Sequence, residues 1–234
     1  MSDKIPHISV VVPTFNEEKY IGPCIAALKN QTYTDFEVVA IDKSTDSTPR
    51  LCKSAGWRVI PQVKPGISAA RSEGFAQTRG EIIASTDADS APSPRWLENI
   101  AAAFTDPGVV CVYGPTYFSN PKFSYRLLGH LNTLFLLINR AFKNDQTVGM
   151  NFAVRKSAYT QIGGYNTSLP TAEDVDVGYR IRKIGRVVFH PRVVVYTSER
   201  RLARQKLGFF THHIANFIRM KLTGKASSDF VPIR

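Results

Sequence analysis

Cysteine is scarce in this sequence, and the few cysteines lack the spacing of a structural framework. The 234 residues contain three, Cys24, Cys52 and Cys111, an odd number that falls within apolar segments. They show no metal-site spacing, and the histidines, including the pair His212 and His213, have no ligand spacing with a third partner. We therefore expect small buried thiols in a protein of a reducing compartment.

Long apolar runs are missing as well. The first seven residues are polar, so no secretory leader is expected there. The most apolar helical candidate, Leu127–Phe142, is too short and too polar to cross a bilayer. Its apolar pattern is interrupted at His130, Asn132, Asn139 and Arg140. These absences predict a soluble or peripheral protein, either cytoplasmic or held on the inner face of the cell membrane.

Acidic residues are nearly absent from the last quarter of the chain. Residues 180–234 hold 13 of the 30 Lys and Arg but only 2 of the 19 Asp and Glu, so the formal charge of +11 falls entirely there. This asymmetry indicates an anionic partner, such as phosphates, nucleic acid or an anionic lipid surface, unless it is a solvated basic tail. Residues 202–234 are expected to form a basic amphipathic helix and tail. The apolar stripe of that helix comprises Leu207, Phe210, Ile214 and Phe217.

Strand and helix signals alternate through the first half of the chain. Apolar and β-branched runs at Ile8–Val12, Glu37–Ile41, Trp57–Pro61 and Glu81–Thr86 predict buried strands, each followed by a helical pattern. This order predicts right-handed βαβ units and a mostly parallel central sheet flanked by helices. The fold class is therefore α/β.

The regular alternation of predicted strands and helices ends after a fifth predicted strand at Val109–Tyr113. A long helix, a loop and a shorter helix lead to a turn at Gly163–Tyr165, and a helix that begins with acidic residues follows. The predicted elements of this half are a helix at Phe123–Lys143, a loop at Asn144–Met150, helices near Lys156–Ile162 and at Ala172–Ile184, and strands at Val187–Phe189 and Val193–Tyr196.

Two carboxylates stand at the carboxyl end of the fourth predicted strand, where open α/β sheets bind their ligands. In an extended segment Asp87 and Asp89 point the same way, so both could bind one hard cation, Mg²⁺ or Mn²⁺, together with substrate phosphates. Pro92 and Pro94 are expected to stop regular structure just beyond. The plain alternative is that both acids are turn or cap residues.

Three further groups are candidates for ligand contacts. Asp42 follows the second strand and could accept hydrogen bonds from a base or a ribose, or simply form an Asx turn. Arg71 with Lys64 could bind a diphosphate, unless Arg71 is an ordinary surface residue of its helix. Glu173 and Asp174 could supply a general base, or merely favour the start of a helix.

The order of these features resembles the family 2 glycosyltransferases of GT-A fold. The segments that carry it are VVPTFNEEKYIGPCIAAL, IDKSTDST, GISAARSEGFAQTRGEIIASTDADS, GGYN and AEDVDVGYRIRKIG, from about Ile8 to about Arg201. The resemblance implies metal-dependent, inverting transfer of a hexosyl group from a nucleoside diphosphate sugar to a hydroxyl acceptor. The acceptor would be a glycan or lipid-linked, the cofactor Mn²⁺ or Mg²⁺, and no nucleic acid is expected as partner.

The resemblance also implies roles for individual positions. The nucleoside would be held by Pro13, Thr14, Glu17 and Asp42. Diphosphate and sugar would be approached by Ala70–Gly74, which contains Arg71. The ion would be carried by Asp87 and Asp89 around Ala88, and Asp174 would deprotonate the acceptor. Further acceptor or diphosphate contacts would be Gly164, Tyr165, Glu173, Arg200 and Arg201.

The sequence departs from the family pattern at three places. The turn Asp42–Asp46 is one residue short, and Ser72 replaces the usual Asn. The Gln-x-x-Arg-Trp of processive synthases is absent, and Thr197–Arg201 stands in its region. We expect a catalytic domain over residues 1–201, with a nucleotide-binding half to about 115 and an acceptor-binding half beyond it. A nucleotidyltransferase acting on a sugar phosphate, and a nucleic-acid-binding module using the basic end, remain the alternatives.

Overall fold

The computed structural model describes residues 7–141, 145, 147–167, 169, 173–200 and 202. Strands and helices alternate in the first half, as the apolar runs predict. Its elements are β1 (Ile8–Thr14), α1 (Gly22–Lys29), β2 (Phe36–Asp42), α2 (Thr48–Ser54), β3 (Arg58–Pro61), α3 (Ile67–Ala76), β4 (Ile82–Ser85), β5 (Ser90–Pro92) and α4 (Trp96–Ala103).

The second half supplies the remaining strands and a long helix. Its elements are β6 (Val109–Tyr113), β7 (Thr116–Phe118), α5 (Phe123–Ala141), β8 (Phe152–Arg155), α6 (Lys156–Gln161), α7 (Glu173–Ile181), β9 (Arg186–Phe189) and β10 (Val195–Thr197). The long helix and the acidic-headed helix thus lie where the sequence predicts them. The helix and tail predicted over residues 202–234 lie outside the described residues, apart from Leu202.

A seven-stranded sheet forms the centre, in the order β3-β2-β1-β4-β8-β6-β9. Strands β3, β2, β1 and β4 pair in parallel, as does β9 with β6, whereas β8 runs antiparallel to both of its neighbours. The predicted mostly parallel sheet is confirmed. Its register places Thr14 opposite Asp42, and Phe152 opposite both Ser85 and Tyr113.

A small second sheet, in the order β5-β10-β7, stands beside the first and was not predicted. The expectation that regular structure stops at Pro92 is wrong, because Ser90–Pro92 pairs antiparallel with Val195–Thr197. Proline is tolerated there because β5 is an edge strand, where a missing N–H leaves no ladder bond unmade. Runs of three residues are too short to give a periodic signal.

Both faces of the large sheet are buried, which explains its continuous apolar strands. On one face Val10 and Val12 pack in a core that includes Trp96 and Leu97 of α4. On the other face Val11 packs in a second core with residues of α3, α6 and α7. The second core includes Phe75, Phe152, Tyr159, Tyr165 and Val177.

The three cysteines are buried and unpaired, as predicted. Burial raises the pKa of Cys52 to about 12, so the thiol stays protonated at neutral pH. Within the described residues, no helix is long and apolar enough to cross a membrane.

Candidate active site

The carboxyl ends of β1, β2 and β4 meet at one edge of the sheet, and the predicted site residues cluster there. The hydroxyl of Thr14, at the end of β1, donates a 2.7 Å hydrogen bond to a carboxylate oxygen of Asp42 at the end of β2. Ser44 adds two more donors to that carboxylate, its hydroxyl at 2.7 Å and its backbone N–H at 3.1 Å. Asp42 therefore forms an Asx-type turn, and this turn fixes the carboxylate at the sheet edge.

The loop after β1 interlocks with the short turn after β2. The N–H of Asn16 donates to the hydroxyl of Ser44, and its side-chain oxygen accepts the N–H of Thr45, each at 2.8 Å. Next along the chain, the N–H of Glu17 donates to the hydroxyl of Thr48 at 2.8 Å. Asn16 adopts a φ of 55°, a left-handed conformation that Asn tolerates better than most residues. The Glu17 backbone is thereby held against the shortened turn.

Arg71 is the centre of the second half of the site. Its side chain is buried and joins two carboxylates, with one guanidinium nitrogen 2.5 Å from Glu173 and the other 2.7 Å from Asp87. The alternative of a surface arginine is wrong. Burial alone would lower the pKa of Arg71, but the neighbouring charges of Asp87 and Glu173 raise it above the ordinary value, so the guanidinium stays charged.

Asp174 lies beside this ion-pair cluster, at the start of α7. One of its carboxylate oxygens accepts the N–H of Gly149 at 2.5 Å, and the other accepts the N–H of Val175 at 2.9 Å. Burial, and secondly the like charge of Glu173, raise the pKa of Asp174 to about 6. A carboxylate with this pKa is largely deprotonated at pH 7 and is a stronger base than an ordinary aspartate.

Gly149 is in close contact with both groups. A Cβ at this position would lie 2.5 Å from Cζ of Arg71, so a side chain has no room. Its carbonyl accepts the hydroxyl of Ser85, at the end of β4, at 2.7 Å. The backbone of Gly149 therefore connects the strand end, the buried arginine and Asp174.

The segment with the two aspartates is a turn rather than an extended strand. Strand β4 ends at Ser85, and the N–H of Ser90 donates to the carbonyl of Asp87 at 3.1 Å, because the chain turns there into β5. The expected extended geometry is therefore wrong, and the two carboxylates are held by different arginines. Asp89 pairs with Arg200 at 2.9 Å, whereas Asp87 pairs with Arg71.

Arg200 connects this turn to the loop after β1. The same guanidinium nitrogen that contacts Asp89 lies 2.8 Å from a carboxylate oxygen of Glu17. Its guanidinium carbon lies 4.2 Å from the ring centroid of Tyr20, a distance typical of a cation–π contact. Burial alone would lower the pKa of Arg200, but the carboxylates of Glu17 and Asp89 raise it.

Buried polar atoms without a protein hydrogen-bond partner are concentrated around this edge. Two ion-pair clusters lie here, one around Arg71 and the other around Arg200. Eight such side-chain atoms occur among the described residues, and five belong to residues of these two clusters or to their neighbours. Those five are in Glu17, Arg71, Thr86, Tyr165 and Arg200. Because buried polar groups normally have partners, this concentration marks a place where ligand or water completes the bonding.

The donor set fits a hard divalent ion bound together with phosphate. Asp87 and Asp89 offer carboxylate oxygens, the ligands that Mg²⁺ and Mn²⁺ prefer. Among the residues that the structure describes, no cluster of three or more His, Cys, Asp or Glu side chains has the geometry of a metal site. An ion here would therefore draw further ligands from phosphate or water.

Comparison with known proteins identifies the family. The family model described as Glycosyl transferase family 2 matches residues 9–163, about two thirds of the chain. The chain belongs to glycosyl transferase family 2. Glycosyltransferase AglE of Haloferax volcanii is 26% identical over 198 residues, which cover 77% of this chain and 65% of AglE. Probable glycosyltransferase YdaM of Bacillus subtilis is 25% identical over 226 residues, which cover 84% of this chain and 51% of YdaM.

Solved structures confirm the expected GT-A fold. Mannosyltransferase PcManGT of Pyrobaculum calidifontis, in complex with GDP-Man and Mn²⁺, aligns with a TM-score of 0.71 and 24% identity over 95% of this chain and 66% of that one. Glucosyl-3-phosphoglycerate synthase of Mycobacterium tuberculosis, in complex with Mn²⁺, UDP and glucosyl-3-phosphoglycerate, aligns with a TM-score of 0.66 and 20% identity. That alignment covers 95% of this chain and 82% of the synthase.

The other predicted contacts of this family 2 chain lie outside the two ion-pair clusters. Lys64 lies on an exposed loop, and its backbone N–H donates a hydrogen bond to the carboxylate of Glu73. No described contact joins Lys64 to Arg71. Ala88 is buried in the first core, and Pro13 lies within β1. Arg201 lies outside the described residues.

The predicted turn at Gly163–Tyr165 is present, with positive φ at both glycines, including 72° at Gly164. Tyr165 is buried in the second core, where its ring lies edge-on to Phe75 at 5.1 Å. Its hydroxyl has no hydrogen-bond partner within the protein. Burial raises the pKa of Tyr165 well above the ordinary value, so that hydroxyl keeps its proton.

Gly149 is one residue of the site that the sequence analysis missed, as it missed Asn16, Ser44 and Ser85. It lies in a predicted loop for which the family 2 resemblance supplies no motif. Only its residue type is a signal, since glycine permits the close approach of a backbone to another group. That signal does not tell which group approaches.

Proposed function

We propose that this chain catalyses metal-dependent, inverting transfer of a sugar from a nucleoside diphosphate sugar to a hydroxyl acceptor. The observation that carries the proposal is the joining of Asp87 to Glu173 through the buried Arg71, with Asp174 alongside. A carboxylate for the donor's metal and a base for the acceptor are thereby fixed relative to one another. Such fixed geometry is what group transfer requires.

The nucleoside end of the donor lies, in this proposal, at the carboxyl ends of β1 and β2. The Asp42 carboxylate is held by Thr14 and Ser44, which use both lone pairs of one oxygen and one of the other. One lone pair is left for a ribose hydroxyl or a base N–H. The buried oxygen of Glu17 that has no protein partner offers a second acceptor.

The diphosphate lies next to Asp87 and Asp89, which would hold Mn²⁺ or Mg²⁺. The chemistry that such an ion would supply, when bound, is to offset the negative charge of the diphosphate leaving group. Arg71 acts mainly by holding the carboxylates of Asp87 and Glu173 in place, because both terminal nitrogens of its guanidinium are already paired. Arg200 is the cation best placed to meet the phosphates, since it reaches the same edge from the last described segment.

Asp174 acts as general base. The acceptor hydroxyl oxygen attacks the anomeric carbon, its proton passes to Asp174, and the bond between that carbon and the diphosphate oxygen breaks with its electron pair. The products are the glycosylated acceptor, with inverted configuration, and a nucleoside diphosphate. Asp176 is less suited to this role, because it forms an ion pair with Arg180 one turn along α7, at 2.5 Å.

The acceptor in this proposal is a glycan or a lipid-linked hydroxyl compound, and the protein works at a membrane surface or in the cytoplasm. The charge of +11, all of it in residues 180–234, supports contact with an anionic surface. Chondroitin synthase of Escherichia coli is 27% identical to this chain over 190 residues, and chondroitin is a glycan. This similarity supports a glycan as acceptor.

A thermal-shift screen of nucleoside diphosphates, with and without Mn²⁺, tests the donor side. A ligand that binds the folded state raises the melting temperature, so at least one base should stabilise the protein more with Mn²⁺ than with EDTA. The donor with that base should then release nucleoside diphosphate when acceptor is added. Equal stabilisation in EDTA would refute the metal role, and release of pyrophosphate from a nucleoside triphosphate would indicate a nucleotidyltransferase.

A further inference from the structure

Helix α5 presents an unusual amount of apolar surface to solvent. Seven of the thirteen large hydrophobic side chains that are exposed in the described residues lie on this one helix, so the exposure is concentrated rather than scattered. They are Phe123, Leu127, Leu131, Leu134, Phe135, Leu137 and Ile138, with exposed fractions from 41% to 77%.

Five of these residues form a continuous line, which we call the α5 stripe. It comprises Phe123, Leu127, Leu131, Leu134 and Ile138, whose spacing of four, four, three and four residues keeps one helical face. The opposite side of the helix faces the protein, where Gly129 packs against Tyr117 and Leu136 is buried in the second core. The α5 stripe is therefore not the core-facing side of an ordinary amphipathic helix.

The Lys and Arg residues on and just before α5 are joined by no Asp or Glu of the same segment. Lys122 and Arg126 stand at the start of the helix, and Arg140, near its end, donates a hydrogen bond to the carbonyl of Phe189. No acidic residue occurs between Asp106 and Asp145 in the sequence. Apolar side chains bordered by cations without carboxylates are typical of helices that lie in the headgroup region of an anionic bilayer.

We propose that the α5 stripe docks on an anionic membrane surface, with the helix lying in the plane of the interface. A helix of 19 residues is about 28 Å long and offers enough length for such a contact. A second copy of this chain is a poorer occupant, because apposed α5 helices would bring together two surfaces whose Lys and Arg side chains, such as Arg126, carry like charges. The proposed function includes contact with a membrane surface, and the present proposal names the part of the protein that makes this contact. It rests on the proposed function only for the nature of the acceptor.

The site lies on the same body of the protein as this surface. Leu136 of α5 shares the second core with Val177 and Ile181 of α7, the helix that begins with Glu173 and Asp174. Near the start of α5, Asn120 donates a 2.8 Å hydrogen bond to Glu199, close to the end of the described chain. The last described segment of the chain therefore contacts the segment that precedes α5.

Vesicle flotation of the full chain tests the proposal. Vesicles of phosphatidylcholine with phosphatidylglycerol should carry the wild type, and pure phosphatidylcholine should carry much less. Leu131→Glu with Leu134→Glu should lower the partition coefficient at least about tenfold, since two apolar contacts are lost and two negative charges are added. Lys122→Gln and Arg126→Gln should each lower it about fivefold at low salt.

A matched control adds the same charge elsewhere. Val63 and Ile184 are exposed apolar residues outside α5, with exposed fractions of 80% and 36%. Val63→Glu with Ile184→Glu should leave partitioning within about twofold of the wild type, because neither side chain belongs to the α5 stripe. An equal loss in this variant would mean that net charge alone drives binding, and would overturn the proposal.

A fluorescence measurement keeps the proposal falsifiable if the glutamate variant fails to fold. Both native tryptophans are buried, with Trp57 7% and Trp96 0% exposed, so they respond little to lipid. Leu131→Trp preserves an apolar side chain and should show a blue-shifted emission on addition of anionic vesicles, independently of any sugar transfer. An unchanged emission spectrum would overturn the proposal.

Two other outcomes would reject the membrane as occupant. One is a dimer in sedimentation that Leu131→Glu with Leu134→Glu dissociates, together with no vesicle binding by the wild type. The other is flotation of the α5 variants equal to that of the wild type, with binding lost only in Phe210→Glu with Phe217→Glu. The first result would assign the α5 stripe to a second copy, and the second would assign membrane binding to the basic end of the chain.

Discussion

One guanidinium nitrogen of Arg200 lies 2.9 Å from a carboxylate oxygen of Asp89, the second aspartate of the proposed metal site. The same nitrogen lies 2.8 Å from Glu17, which the family resemblance assigns to the nucleoside. One protein cation therefore contacts two acids of the site and offsets part of their negative charge. A divalent ion beside Asp89 must overcome repulsion from this arginine until a diphosphate offsets the added charge.

Removal of this arginine should uncouple metal binding from nucleotide binding. In the wild type we expect weak binding of Mn²⁺ alone and much tighter binding with a nucleoside diphosphate. Arg200→Gln should bind Mn²⁺ alone about tenfold more tightly than the wild type, and added nucleotide should raise its affinity for Mn²⁺ by a smaller factor. Titration calorimetry with and without the nucleotide measures both affinities.

The control for this experiment is Arg95→Gln, which removes an arginine from an exposed ion pair with Glu98 and should leave Mn²⁺ binding unchanged. Asp89→Asn should weaken Mn²⁺ binding whether or not Arg200 is present. If Arg200→Gln binds Mn²⁺ alone no better than the wild type, the two cations do not compete at Asp89.

Asp174→Asn should lower kcat by roughly 10²–10⁴-fold, the usual worth of a general base. Donor affinity should barely change, because the amide is nearly isosteric with the carboxylate. Asp176→Asn is the matched control, since it alters a neighbouring acid of α7 that pairs with Arg180. A near-normal kcat for Asp174→Asn would assign the base to Glu173 or Asp176.

The pH dependence of kcat/KM should show an ascending limb near pH 6. The pKa of Asp174 is raised to about 6, and a base acts only when deprotonated, so activity should fall as the pH drops through this value. Glu173→Gln removes a like charge that raises this pKa, so the limb should move to lower pH. A limb that stays in place, in a variant shown by its melting curve to be folded, would exclude Asp174 as the titrating group.

Gly149→Ala should destabilise the protein and impair transfer. The added Cβ would lie 2.5 Å from Cζ of Arg71, so the buried guanidinium must shift from Asp87 and Glu173. Overpacking of this kind costs about 1–3 kcal/mol, a fall of several degrees in Tm for a chain of this size. Gly22→Ala is the control, because its Cβ would meet no atom within 4 Å. Equal melting temperatures for the two variants would show that the Gly149 loop adapts freely.

The sequence predicted the large sheet well because its strands are buried on both faces, which leaves long apolar runs such as Ile8–Val12. It also predicted which acids gather at the sheet edge, since parallel strands end together. It did not reveal the ion pair between Glu17 and Arg200, because 183 positions separate them and neither lies in a periodic pattern. The sequence did not predict the turn at Asp87–Asp89 for a similar reason. The turn leads into β5, and β5 pairs with β10, which is distant in sequence.

The single reversed strand of the large sheet has a consequence for how sites of this kind diversify. Because β8 runs against β4 and β6, its first residue, Phe152, lies at the edge where the last residues of those strands lie. The loop that precedes β8, rather than one that follows it, therefore reaches the edge where the candidate site lies and places Gly149 against Asp174. Changes in the length or composition of this one loop can alter the surroundings of Asp174 while the strand register and the Thr14–Asp42 contact stay as they are.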